Sequence, residues 1–340
     1  MVKRLLDRLN IDPFTLALLA TVAAASLVPA RGVGAQAAAI AAEAAIGLLF
    51  FLHGAKLSRQ AIVAGAGHWR LHLTVFASTF VMFPVLGLAI GLLSPGIVGK
   101  PLAMGLLYLC LLPSTVQSSI AFTSIAGGNV PAAVCSASAS SLLGIVLTPL
   151  LVGLLMGADG SRGVSLGAVE AITLQLFVPF IAGHLSRPLT ARFVERHKRL
   201  LNYVDRGSIL MVVYTAFSAA VVEGLWRKLS GRDLVAVLVL DLAILAVALT
   251  CTTLAARALR FSREDEITIV FCGSKKSLAS GAPMAAALFP AAQVGGLIVP
   301  LMLYHQIQLM VCAVLARRYA AAGERRAAPD VLNRPSEAAS

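Results

Sequence analysis

Two adjacent lysines, Lys275 and Lys276, stand in an apolar segment that runs from about Ile267 to Leu288. A lysine at the centre of a membrane helix costs roughly 2.5–3.5 kcal/mol, and only seven of the chain's 28 basic residues are Lys. The pair is therefore a candidate binding site. Around it the sequence reads Phe271-Cys272-Gly273-Ser274-Lys275-Lys276-Ser277-Leu278-Ala279-Ser280-Gly281-Ala282-Pro283-Met284. Gly273, Gly281 and Pro283 are expected to break the helix. Broken backbone at membrane depth survives only where it lines a cavity or packs into protein. One ammonium is expected to hold the broken segment together electrostatically, the other to face a cavity and attract an anion. Which lysine does which is open. Snorkelling at a helix end fits the mid-segment position and the Ser and Gly flanks less well.

A second polar cluster follows Pro113: Ser114, Thr115, Gln117, Ser118 and Ser119. Ser and Thr in membrane helices often serve only close packing. Here Pro113 interrupts the hydrogen-bond ladder, and the freed carbonyls need partners or ligands. Half-helices starting at Ser114/Thr115 and near Pro283 would add exposed N–H donors and positive dipole ends. Asp241 and Glu43 also lie in apolar runs. Intramembrane acids are functional candidates by default, with a satisfied structural pair as the alternative for each. Asp241 is expected to be the counter-ion of Lys275 or Lys276, since an unpaired buried charge is costly. His305, Gln306 and Gln308 read as structural. No nucleophile elbow, phosphate loop or metal-ligand cluster occurs, so the chain does not read as an enzyme, and no cofactor is expected.

These residues must be held by membrane helices. The chain is 58% hydrophobic and 13% charged, with a mean hydropathy of +0.86, which marks a polytopic membrane protein. The net charge of +12 points to the membrane and not to nucleic acid, because the basic residues cluster in short loops. Of the five cysteines, four read as small buried hydrophobes, and Cys272 borders the lysines. Runs near the ~20 residues needed to span a bilayer fall at about 14–30, 36–54, 71–93, 101–126, 131–156, 165–184, 207–224, 233–256, 266–289 and 293–316. The first resembles a signal peptide behind Lys3, Arg4 and Arg8, but nine further runs favour an uncleaved helix. The divisions are a cytoplasmic N-terminus at 1–13, a transmembrane unit at 14–316 and a disordered cytoplasmic tail at 320–340. Twenty Lys and Arg fall on one side and six on the other, which puts both termini in the cytoplasm.

The fourth and ninth runs look alike. Thr115-Val116-Gln117-Ser118 overlays Ser274-Lys275-Lys276-Ser277 at an offset of 159, which also overlays Pro131-Ala132-Ala133 on Pro290-Ala291-Ala292. Five spans repeated make two inverted halves, about 14–156 and 165–316. Interrupted segments at matching places in two such halves point to a midplane transport site. The same offset maps Asp241 to residue 82.

The stretch from Phe271 to Ala285 resembles the bile acid:sodium symporter superfamily, and more narrowly its SBF-like branch. Phe50 to Ser58, Leu111 to Ser119 and Gly128-Asn129-Val130 fit the same resemblance, which covers about residues 10 to 318. It implies ten helices in two inverted five-helix repeats. Helices 1, 2, 6 and 7 would form a panel; the rest would form a core in which broken helices 4 and 9 cross. Substrate would bind between the two, by alternating access. In sodium-coupled relatives helix 4 carries a Ser-Asn pair where Ser118-Ser119 stands here, and helix 9 carries a Glu and a Gln near the positions of Cys272 and Lys276. A helix-3 Gln is replaced by Thr79, Ser136 falls near a hydroxyl ligand, and Ala132 has lost one. A lost carboxylate and a gained cation argue against the same sodium site, because hard cations want oxygen ligands and negative charge.

The expectation is thus a secondary transporter of an organic anion or ion in the cytoplasmic membrane, with doubt falling on sodium coupling and on bile acids as substrate. The candidate site is Thr79, Ser114, Thr115, Gln117, Ser118, Ser119, Ser136, Asp241, Ser274, Lys275, Lys276 and Ser277. The partners are the lipid bilayer and a small-molecule or ion substrate. The rival reading, also brought by the resemblance, is a membrane regulator of cellular calcium that does not transport. A cavity open to one side at the lysines would favour transport. A crossover closed by Asp241 pairing would favour the rival.

Overall fold

A computed structural model describes residues 13–56, 67–93, 96–156 and 166–332. The basic N-terminal stretch, parts of the loops used in the charge count and the end of the tail lie outside these. Among the described residues every regular element is helical. Six helices are long and apolar enough to cross a membrane, and a bent pair makes a seventh. Helices dominate because a backbone in lipid must satisfy its own N–H and C=O groups.

In chain order, α1 (Pro13–Leu27) is followed by α2 (Val33–Lys56). Next comes α3 (Trp69–Ala77), a π-helical turn (Ser78–Met82) and α4 (Phe83–Leu93). The bent pair is α5 (Lys100–Leu111) and α6 (Val116–Ile125), which meet at 62°. They lead to α7 (Val130–Met156), α8 (Leu166–Leu185), α9 (Arg187–Arg196), α10 (Lys198–Val222) and the short α11 (Leu225–Lys228). The chain continues through α12 (Gly231–Ala258), α13 (Arg263–Gly273), α14 (Leu278–Leu288) and α15 (Ala291–Leu332). Two starts are strongly specified. Ser230 and Asp233 form a reciprocal capping box on α12. Ser262 caps α13, whose first turn holds Glu264, Asp265 and Glu266 against the positive dipole end.

The helices sort into two packed groups. In the first, α2 lies against α8 and α10, and α10 against α1. The α2–α8 contact is as close as backbones allow: a Cβ on Gly54 would fall 1.9 Å from the Phe180 carbonyl oxygen, and one on Gly183 1.9 Å from that of Phe51. In the second group α13 packs on α12, α6, α7 and α3, while α5 packs on α4 and α15. The groups meet where α8 lies on α7 and where α10 lies on α15 and α14. There Gly295 approaches so closely that its Cβ would lie 2.5 Å from the Ala220 Cβ.

Both expected interruptions are present. The first spans 112–115 and the second 274–277. Three details differ from the expectation. Gly281 and Pro283 sit inside α14, where Pro283, in the second turn, removes one i→i−4 bond without ending the helix. The last helix continues to Leu332, past the start of the expected disordered tail, through Ala, Arg and Glu residues of high helix propensity. And helix boundaries around the two breaks recur at a spacing other than 159. Trp69 and Gly231 start helices, Leu111 and Gly273 end them, and Val116 and Leu278 restart them, each pair 162 residues apart.

Candidate functional site

The two breaks touch and satisfy each other's backbone. Pro113 has no N–H and disfavours helix at Leu112, whose ψ is 156°. The carbonyls at the end of α5 thus lose their helical donors. Leu111 O accepts from Thr148 Oγ1 at 2.9 Å, and Pro113 O from the Ser277 N–H at 3.0 Å. The Ser114 N–H donates to Ser140 Oγ at 3.1 Å, and Ser114 Oγ to Cys272 O at 2.6 Å. Thr115 Oγ1 donates to Lys276 O at 2.9 Å, and Ser119 Oγ to Phe271 O at 3.1 Å. From α15, Gln308 clamps the Lys276 backbone, accepting from its N–H at 2.9 Å and donating to its carbonyl at 2.8 Å. Tyr304 donates to Ser274 O at 2.8 Å. Gln308 is structural, as expected, and holds this break, whereas Gln306 accepts from Thr15 Oγ1 at 2.5 Å and His305 lines the cavity beside the crossover.

Lys276 fills the remaining vacancy. Its Nζ donates to the carbonyls of Leu112 at 2.7 Å, Thr79 at 2.9 Å and Cys110 at 3.0 Å, and it lies 4.1 Å from the Phe83 ring centre. The Thr79 carbonyl is free for a local reason. In the π turn the Phe83 N–H reaches back five residues to Ser78 O. The next donor in that register would be residue 84, which is Pro and has none. Three charge-assisted bonds, each about 1.5–3 kcal/mol, are enough to offset the roughly 2.5–3.5 kcal/mol cost of a lysine at the membrane centre. Thr79 contributes its backbone and not its side chain, whose hydroxyl is bonded to Val75 O at 2.9 Å.

Lys275 goes elsewhere. Its Nζ is buried without a hydrogen-bond partner, 3.8 Å from the Phe122 ring centre and 5.8 Å from that of Phe271. Both lysines are fully buried and neither lines the cavity beside the crossover, which differs from the expected division of labour: the non-helical break turns one side chain toward the carbonyls and the other toward aromatic rings. Asp241 is also fully buried, but neither carboxylate oxygen has a partner and no ion pair joins it to either lysine. The expected counter-ion pair is absent, because Lys276 finds its oxygens on the broken backbone. Glu43 is exposed. Ser136 stands apart from the crossover, its Oγ 2.7 Å from His72 Nδ1. Ser274 Oγ bonds within α13, to Val270 O at 2.6 Å.

Beside the crossover a cavity of about 320 Å³ separates the two helix groups. From the second group Thr115, Gln117 and Ser118 at the start of α6, and Ser277 and Ser280 at the start of α14, line it. Thr115 makes no side-chain cap bond at the start of α6, so first-turn N–H groups there keep their donor capacity. From the first group come His53, Lys56, Asp205 and Arg206, with Lys56 and Asp205 in an ion pair. Sequence reasoning missed these four because they sit at helix ends, where basic residues read as interfacial; the Asp205-Arg206 pair at the edge of an apolar run was the available signal.

Residues 12–321 match the model of the SBF-like CPA transporter family. An uncharacterized protein of Pseudomonas aeruginosa, PA2026, is 63% identical over 91% of this chain and 93% of its own length. The putative symporter YfeH of Escherichia coli is 58% identical over the same shares. Sodium/bile acid cotransporter 7 of Mus musculus is 28% identical over 92% of this chain and 93% of its own length.

Proposed function

We propose that this chain, which belongs to the SBF-like CPA transporter family, carries a small substrate through the cavity between its two helix groups by alternating access. It is a multi-span membrane transporter and not an enzyme; its relatives are named symporter and cotransporter. The observation that carries the mechanism is the meeting of two broken helices whose second halves, α6 and α14, both start at the wall of one cavity. Lys276 acts as a tethered cation that holds this crossover permanently, so the cycle needs no sodium there. Ser114, Thr115, Ser119 and Ser274 are the stitching of the crossover; Gln117, Ser118 and Ser277 face the substrate.

The architecture we assign is ten spans in two inverted halves of five. Its support is the 162-residue recurrence of helix boundaries and a reciprocal pair of contacts. Ser114 Oγ reaches Cys272 O while Lys276 Nζ reaches Cys110 O, and both members of each contact are 162 residues from their counterparts. The first helix group is the moving panel, the second the core. With the termini in the cytoplasm, as the Lys and Arg count argues, the cavity opens toward the cytoplasm, since Lys56 ends α2 and Asp205 lies near the start of α10. The tight Gly295–Ala220 contact closes the other side. The unpaired Asp241 removes the closed, paired crossover that the regulatory reading needed; the cavity lies beside the crossover and not at the lysines, so support for transport comes from the relatives named symporter and cotransporter.

The test is Ser118→Cys in a background with Cys251→Ser, treated with a membrane-impermeant thiol reagent in right-side-out and inside-out vesicles. Alternating access gives modification from both sides. Modification from one side only, at all times and temperatures, contradicts it.

A further inference from the structure

Two residues that line this cavity each carry a polar atom without a partner. Asp205 is 7% exposed. Its Oδ2 pairs with Lys56 while its Oδ1 is buried without any hydrogen bond. On the opposite wall Ser118 Oγ is likewise buried and unbonded. Orphaned polar atoms of this kind cost about 1–3 kcal/mol each, and a lining position gives them a purpose: a ligand can supply the missing group. Asp205 as a carboxylate accepts only, so it asks for a donor. Ser118 can accept or donate.

The rest of the wall asks for an anion. Lys56 and Arg206 outnumber Asp205 among the charged lining residues, and two helix N-termini face the same space. An ammonium compound would add a cation to a wall already net positive. Size narrows the class further. About 320 Å³ is at the lower limit for sites that hold drug-sized ligands, and Phe14 and Phe180 offer faces for C–H groups.

Resting on the transport reading above, we infer that the substrate is a small hydroxylated carboxylate, of sugar-acid size. Its carboxylate sits at the starts of α6 and α14 beside Ser118, and its hydroxyls donate to Asp205 Oδ1. A steroid acid such as taurocholate, although it carries hydroxyls, is too large for a cavity of about 320 Å³.

Purified full-length protein in detergent is titrated with D-gluconate, with hexanoate as the chain of equal length without hydroxyls, and with taurocholate, following the unfolding temperature. Gluconate is expected to stabilise in a saturable way, with hexanoate at least ~10-fold weaker, the loss of one hydrogen bond to a charged group. Asp205→Asn and Ser118→Ala are each expected to weaken gluconate by a similar factor. Because Asp205→Asn removes an ion pair, Ser118→Ala keeps the test decisive if the first variant does not fold. Equal binding of hexanoate, preference for taurocholate, or no response to gluconate each overturns the inference. The vesicle labelling of Ser118→Cys separates the two proposals: label from both sides with gluconate ignored leaves transport standing and the substrate class wrong.

Discussion

Lys276 Nζ lies 2.9 Å from the carbonyl oxygen of Thr79, a residue 197 positions earlier. That bond joins the π turn before α4 to the break between α13 and α14, and it exists because Pro84 offers no N–H to Thr79. With the bonds to Cys110 and Leu112 it makes one ammonium, set in the α13–α14 break, the common donor to two other backbone interruptions.

The two lysines should therefore respond differently to the same change. Lys276→Met orphans three buried carbonyls at about 1–3 kcal/mol each, so a loss of roughly 3–9 kcal/mol is expected in thermal unfolding of the purified protein. Lys275→Met removes a buried ammonium with no hydrogen bonds and leaves a flexible apolar chain among aromatic rings. It should change stability by no more than about 1 kcal/mol. Comparable losses for the two variants would sink this assignment.

Asp241 has no bonded partner, so it should not couple to the lysines. In a double-mutant cycle of Asp241→Asn with Lys276→Met, the stability effects should add to within about 0.5 kcal/mol. Burial of an unpartnered carboxyl group is itself unfavourable, so Asp241→Asn alone should leave the protein at least as stable. A favourable coupling above about 1 kcal/mol would restore the ion pair expected from the sequence.

The first helix group depends on one close backbone contact. Gly54→Ala places a Cβ against the Phe180 carbonyl, which is backbone and cannot rotate aside. A loss of about 2–4 kcal/mol, or failure to fold, is expected. Gly47 is in the same helix with nothing within 4 Å of its Cβ position, so Gly47→Ala should stabilise by up to about 1 kcal/mol. Detergent melts of the two variants, read against each other, check this; indifference at Gly54 would refute it.

Much of the site was legible in the residues because Pro113 and the Ser-Lys-Lys-Ser run break helices by local chemistry. Three features were not. Thr79 was read through its side chain, and nothing local says that a carbonyl is the ligand until Pro84 is set against a π turn. Asp241 was assigned a partner by charge balance, whereas burial in folded proteins is also relieved by backbone oxygens, as at Lys276. The cavity charges at Lys56 and Asp205 meet across about 150 residues (149 apart), and periodicity in one helix carries no record of a partner in another. Helix boundaries at the two breaks recur 162 residues apart and not 159, because side-chain likeness, Ala-rich and short, is a weaker ruler than helix boundaries.

The central claim is that Lys276 occupies the place a coupling cation would take. Its most direct test needs no substrate: the unfolding temperature of purified protein in sodium chloride against choline chloride at equal ionic strength. The account expects superimposable melts, and a melt of Lys276→Met far below both. A cation site filled at a hundred times its dissociation constant would add about 2.7 kcal/mol. A saturable, sodium-specific rise of that order in the wild-type protein would contradict the account.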